Sequence, residues 1–129
     1  MHGASPPESV HALDVSGLAA PGMAFWSARD ADGTLLGIAA LKRLSAGGEL
    51  KSMRTTRAAR GTGAGRALLE HVIAEAARRG WPTLWLETGT QDYFVPARTL
   101  YASRGFVECG AFEGYRPDPA SMFMRLELA

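Results

Sequence analysis

The hexapeptide RGTGAG, Arg60 to Gly65, sets glycine at positions 61, 63 and 65 directly ahead of a run with helical apolar spacing. Glycines at the mouth of a helix either cap it or clear a path for an anion. The second use follows from the helix itself: its first N–H groups have no internal acceptor, and its dipole places about half a positive charge at that end. Side chains at Gly61, Gly63 and Gly65 are expected to obstruct such an approach. Two phosphate-binding motifs fail on spacing. A dinucleotide fingerprint, G-x-G-x-x-G, needs a third glycine where Arg66 stands if counted from Gly61, or where Leu68 stands if counted from Gly63. A Walker loop needs a Gly-Lys pair, and the chain has none. What survives is [Arg/Gln]-x-x-Gly-x-[Gly/Ala], satisfied by Arg60, Gly61, Thr62, Gly63, Ala64 and Gly65.

Other reactive side chains say less on their own. Tyr101 lies in an apolar helical run, where a tyrosine is ordinarily a core residue with a tethered hydroxyl. Glu49 and Glu87 fall on strand-like segments, where charge is ordinarily solvated. His71 reads as a solvated residue of the long helix without a second ligand for a metal. Cys109, the single cysteine, reads as a small buried residue and excludes an intramolecular disulfide framework.

These residues need elements to hold them. ELKSMRTT, from Glu49, reads as a strand ending at the glycines, with Glu49, Lys51, Met53 and Thr55 on one face and Leu50, Ser52 and Arg54 on the other. From Gly63 to about Arg79, Leu68, Leu69, Val72, Ile73, Ala76 and Ala77 recur at helical spacing, and Gly80 is placed to end the helix. PTLWLET is apolar on both faces, as a strand covered on both sides would be. VPARTLYASRG, with Pro near its start and Gly at its end, predicts a second helix. FVECGAF and SMFMRLEL predict two further strands joined by the Pro-rich EGYRPDP. Upstream, Met23 to Leu44 reads as an antiparallel hairpin turning at ADG. The first 22 residues carry little pattern beyond a helical candidate at Glu8 to Val15. Three strands, a helix, a strand, a helix and two strands predict an α/β (α+β) domain, with a parallel pair around the glycine loop inside an otherwise antiparallel sheet.

The glycine pattern in this setting resembles the GNAT superfamily of acyl-CoA-dependent N-acetyltransferases. PARTLYASRGF, Pro96 to Phe106, is similar to the family's second signature, Ala-x-x-Leu-Tyr followed by Gly-Phe. The likeness covers roughly Met23 to Leu128, and GELKSMRT, LWLETG and the tail from Glu108 resemble a bacterial subgroup of small, largely uncharacterised members. It implies the GNAT fold and acetyl-CoA as cosubstrate, with no metal. The CoA pyrophosphate would sit on the main-chain N–H groups of Gly61, Thr62, Gly63, Ala64, Gly65 and Arg66, with the Arg60 side chain close by. The backbone of Met53, Arg54 and Thr55 would accompany the pantetheine arm like an added strand, and the Met53 N–H would polarise the thioester carbonyl. Tyr101 takes the place of the general acid; a phenol, with a reference pKa of about 10, suits a thiol leaving group of about 8.5. Glu49 takes the place of the base, with Glu87 as rival where the two parallel strands splay, and an ordered water as a third route. Two departures stand out. Phe94 occupies a position where the family often has Asn, and the usual strand and helix ahead of Met23 are expected to be missing. A missing strand would bare a sheet edge and favour a homodimer.

Composition bounds the remainder. At 129 residues, 47% apolar, 21% charged and formal net charge +1, the chain reads as one domain spanning 1–129, held to neither nucleic acid nor membrane by bulk charge. With one cysteine and neither signal pattern nor spanning stretch, a cytoplasmic setting is expected. The expected function is transfer of an acetyl group from acetyl-CoA to the amine of a small acceptor by direct attack in a ternary complex. Lys51 and Arg54 suggest an acceptor carrying a carboxylate. The alternative is a catalytically degenerate acyl-CoA-binding sensor or partner subunit.

Overall fold

Turns set the antiparallel half of the chain in the computed structural model, which describes residues 14–20 and 22–128. Strand β1 (Asp14–Ala20) returns as β2 (Met23–Arg29) with Gly22 at φ 76°, a left-handed conformation that glycine adopts without steric cost. Between β2 and β3 (Leu35–Leu44) the Asp30 carboxylate accepts the N–H groups of Asp32 and Thr34 at 2.9 and 3.0 Å. Such a local acceptor stands in for ladder bonds and fixes the bend. Ser45 and Ala46 then turn the chain into β4 (Gly47–Thr55).

No strand was expected ahead of Met23, yet β1 pairs with β2 from Asp14↔Arg29 to Ala20↔Met23. Its sequence, DVSGLAA, is rich in residues of low strand propensity, so its place comes from pairing rather than from its own pattern. The helix expected over Glu8 to Val15 falls mostly outside the described residues, and residues 14 and 15 belong to β1.

The second half alternates: α1 (Ala64–Arg78), β5 (Thr83–Gly89), α2 (Val95–Ser103), β6 (Val107–Cys109) and β7 (Ser121–Glu127). The seven strands form one sheet in the order β1-β2-β3-β4-β5-β7-β6, with β4 and β5 parallel and every other neighbouring pair antiparallel. The parallel pair stands where the strand, glycine loop and helix demanded it. Helix α1 ends in a Schellman motif: Gly80, at φ 78°, donates to Ala77 O while Trp81 donates to Ala76 O, so two terminal carbonyls find partners.

Both helices contribute to one core on one face of the sheet. Leu68, Leu69 and Val72 of α1 and Tyr101 of α2 cluster with Leu41, Leu50, Leu84, Leu86 and Met124 from the strands. Leu68, Leu69 and Val72 are fully buried, each contributing about 1.5–3 kcal/mol of transfer free energy. The opposite face carries the stacked rings of Trp85 and Phe112, with Tyr115 and Phe123 edge-on to Phe112. Gly48 permits the close approach that starts the parallel pair, because a Cβ there would lie 2.2 Å from the Trp81 ring.

Candidate active site

Strands β4 and β5 pair only over Gly48↔Leu84, Glu49↔Trp85 and Leu50↔Leu86, and then part. Just past that point β4 gains a residue against β3: Ala40 faces Lys51 but Ile38 faces Arg54, so Ser52 and Met53 together stand across from Ala39. Ser52 is at φ 56°, the only non-glycine residue with positive φ among the described residues. A bulge of this kind reverses the faces beyond it. The strict alternation expected along β4 therefore fails: Arg54 shares the side of Glu49 and Lys51, while Met53 packs against the core. From Lys51 to Thr55 the β5-facing edge of β4 has no strand partner. It forms one wall of a cleft of about 830 Å³.

The glycine loop closes one end of this cleft. After β4 a turn at Arg57–Ala59 leads through Arg60 to Gly63, which caps α1. Gly61 and Gly63 have φ of 77° and 89°, whereas Gly65 is helical with no positive φ. A Cβ on Gly61 would meet no protein atom, and one on Gly65 would touch Thr55 and Leu100 at 3.4 and 3.6 Å. Backbone conformation requires the first two glycines, whereas a Cβ on the third would make ordinary van der Waals contacts. The Thr62 hydroxyl donates to Ala59 O and lies 3.4 Å from the Ala64 N–H. Among the described residues, the N–H groups of Gly61, Gly63, Gly65 and Arg66 have no protein acceptor and line the helix mouth. Arg66 reaches away to Ser103 Oγ at 2.6 Å, and Arg60 lines the cleft.

Tyr101 reaches the same cleft from α2. Its ring is buried beside Phe106, its hydroxyl has no hydrogen-bond partner among the described residues, and burial pushes its pKa up to about 12. The phenol therefore stays protonated through the neutral range with its proton free to give. Glu49 lines the cleft although only 3% exposed. The Tyr115 hydroxyl donates to Glu49 Oε2 at 2.6 Å, and Lys51 Nζ stands 4.0 Å from the same oxygen. Burial pushes the Tyr115 phenol upward, and the hydrogen bond to Glu49 and the charges of Glu49 and Glu87 push it further. Glu87 is exposed at the rim and accepts from Ser121 Oγ at 2.6 Å.

The cleft thus gathers Met53, Arg54, Thr55, Arg60, Gly61, Gly63, Gly65, Arg66, Tyr101, Glu49 and Glu87. Tyr115 was missed by sequence reasoning. It lies in the loop EGYRPDP, 66 residues from its carboxylate, and its only local signal is an aromatic residue in a turn-rich segment. Phe94 sits at the cleft, its ring filling the space that a Cβ on Gly89 would take. His71 is half-buried rather than solvated, with Nε2 unpartnered among the described residues and its ring edge-on to Trp26 at 5.5 Å. Trp26 packs against the core. Cys109 is partly buried and its thiol is pushed up by that burial.

A mixed sheet splayed at its parallel pair, with a glycine-opened helix at one end of the gap, agrees with what known proteins show. The acetyltransferase (GNAT) family matches residues 3–106. The uncharacterized N-acetyltransferase YsnE of Bacillus subtilis is 47% identical over 125 residues, covering 96% of this chain and 82% of that one. A crystal structure from Klebsiella pneumoniae, described as an acyl-CoA N-acyltransferase, superposes with a TM-score of 0.79 at 33% identity, covering 87% of this chain and 77% of its own. A Bacillus subtilis acetyltransferase in complex with CoA shares the fold at a TM-score of 0.75 and 16% identity, covering 91% and 99%. The chain belongs to the acetyltransferase (GNAT) family and is an acyltransferase of the GNAT type. No helix is long and apolar enough to cross a membrane among the described residues.

Proposed function

We propose that the chain moves an acetyl group from acetyl-CoA to the amine of a small acceptor by direct attack in a ternary complex. The observation that carries this reading is the convergence in one cleft of free N–H groups at a helix mouth, an unpaired strand edge, a buried tyrosine with a free hydroxyl and a buried carboxylate. The donor's pyrophosphate takes the free N–H groups of Gly61, Gly63, Gly65 and Arg66, where backbone partial charge and the α1 dipole meet its negative charge, while the Thr62 and Ala64 N–H groups keep their acceptors within the loop. Its pantetheine amides pair with the free edge of β4 beyond the bulge, and the Met53 N–H faces the thioester oxygen. The Bacillus subtilis relative that holds CoA on this fold supports the choice of donor.

The reaction then needs three proton movements, two off the nitrogen and one onto the sulfur. The acceptor enters as an ammonium and loses a proton to Glu49, directly or through a water; Glu87, more exposed and on the rim, is the second candidate. The free amine's lone pair attacks the thioester carbon and charge gathers on the oxygen. When the tetrahedral intermediate collapses the C–S bond breaks, the sulfur takes its proton from the Tyr101 hydroxyl, and the extra proton on the attacking nitrogen leaves and restores the phenol, directly or through a water. With donor and acceptor seated against the apolar lining of the cleft, the departing thiolate is itself partly desolvated. That raises its proton affinity toward that of the buried phenol and brings the two into range of transfer. Lys51 and Arg54, on one side of β4, are available to a carboxylate on the acceptor.

The test is thiol release from acetyl-CoA across a panel of primary amines and amino acids, with equilibrium binding of acetyl-CoA measured alongside. The reading expects micromolar to millimolar binding and amine-dependent release. A chain that binds acetyl-CoA tightly yet releases no thiol with any amine would instead be a sensor.

A further inference from the structure

Glu49 is the most deeply buried charged side chain in the described structure, and two groups answer its charge within reach. Lys51, at 4.0 Å, is beyond hydrogen-bond distance, so the phenol of Tyr115 at 2.6 Å is the only direct donor to that carboxylate among the described residues. A carboxylate taken from water without a donor would incur several kcal/mol of desolvation cost. The donor is itself fixed. The Tyr115 ring stands edge-on to Phe112 at 4.8 Å and tilted against Phe123 at 5.6 Å, and Phe112 stacks on Trp85, the residue that pairs with Glu49 across the parallel seam. The charged groups around the pair are Lys51 on β4, Lys42 opposite Glu49 on β3, and Glu87 on β5.

Resting on Glu49 as the proton acceptor of the proposed reaction, we infer that Tyr115 is its positioning residue: the loop between β6 and β7 hands one phenol across the sheet to hold the carboxylate in line with the cleft. Two tyrosines then serve one site with opposite duties. Tyr101 keeps a free proton for the leaving sulfur, and Tyr115 spends its proton on orienting the base. One oxygen of Glu49 is occupied by Tyr115, which leaves the other for the acceptor's ammonium or a bridging water. The loop's sequence also becomes intelligible, because a turn-rich segment anchored by stacked rings sets a hydroxyl more firmly than a long free side chain would.

The experiment compares Tyr115→Phe, Glu49→Gln and the double variant, using acetyl-CoA and the amine that gives the fastest thiol release in the panel. Phenylalanine keeps the ring among Phe112 and Phe123, and unchanged acetyl-CoA binding together with a wild-type circular dichroism spectrum at the assay temperature verifies the fold, while the melting temperature is expected to fall because the buried carboxylate loses its donor. For Tyr115→Phe the expected results are a roughly tenfold fall in kcat/KM and an acid limb of the pH profile moved upward. Removing a donor that favours the ionised carboxylate has that sign. In the Glu49→Gln background the same change is expected to add little. A Tyr115→Phe enzyme with wild-type rate and acid limb, while Glu49→Gln is inactive, overturns the inference and spares the underlying reading. So does a full, independent loss in the double variant. Wild-type turnover by Glu49→Gln overturns the reading of Glu49, and the positioning role with it.

Discussion

Tyr101 is where a single side chain most directly ties burial to chemistry. Replacing it with Phe leaves the packing against Phe106 in place and removes the hydroxyl. Thiol release is expected to fall about a hundredfold or more, the usual range for a lost general acid, with acetyl-CoA binding unchanged. The same substitution has a pH signature in stability. The folded phenol's pKa of about 12 exceeds its unfolded value of 10.0, so above pH 10 the unfolded chain releases a proton that the folded one retains. The stabilisation is present in full below about pH 10 and is lost as pH rises through about 12, amounting to roughly 2–3 kcal/mol. Chemical denaturation at pH 9 and pH 11.5 is expected to show the wild type losing stability relative to Tyr101→Phe across that window. The glycines' place at the helix mouth was legible in the sequence because their signal is local, a fixed spacing next to a helix, and Tyr101 was singled out only through the family resemblance. Tyr115 was not, because its partner lies on another strand and only the folded sheet brings them together.

Two glycines outside the loop show how elements hold the site. Gly48 lies under the Trp81 ring at the first register pair of the parallel seam, so Gly48→Ala forces Trp81 or β4 to shift. Overpacking of this kind costs about 1–3 kcal/mol, and loss of activity is expected to accompany the fall in denaturation midpoint because the splay of the strands starts here. Gly80→Ala is the contrasting case: with φ at 78° and open space around it, it is expected to cost about 1 kcal/mol while leaving acetyl-CoA affinity untouched. At this scale the periodic elements were readable, α1 to within a residue at each end. The bulge at Ser52 was not, since a strand of alternating polar residues carries no mark of where one residue is extra. β1 escaped for a related reason: small residues make a strand only when a neighbour supplies the pairing.

The molecule as a whole is built around a break. The sheet runs continuously through seven strands, yet at its middle only three register pairs join β4 to β5. The helices reinforce that join from one side, through Arg66 to Ser103 and through Arg104 to Glu70 at 2.6 Å, which tie α1 to the end of α2. A ligand seated on the glycine loop and the β4 edge binds the folded chain alone, so acetyl-CoA at a hundred times its Kd is expected to add about 2.7 kcal/mol and raise the melting temperature accordingly. The parallel pair followed from the strand, loop and helix pattern; the narrowness of the join did not, because the sequence does not say where two parallel strands stop pairing. Mechanically, the short seam is a crease between two plates, β1 to β4 on one side and β5, β7 and β6 on the other. Amide hydrogen exchange is expected to report it. In the free protein the amides of β5 beside the crease should exchange faster than those of β3, and acetyl-CoA bound along the open edge should slow exchange most for residues 51–55 of β4, measured as a pattern along the chain rather than as a change in overall stability.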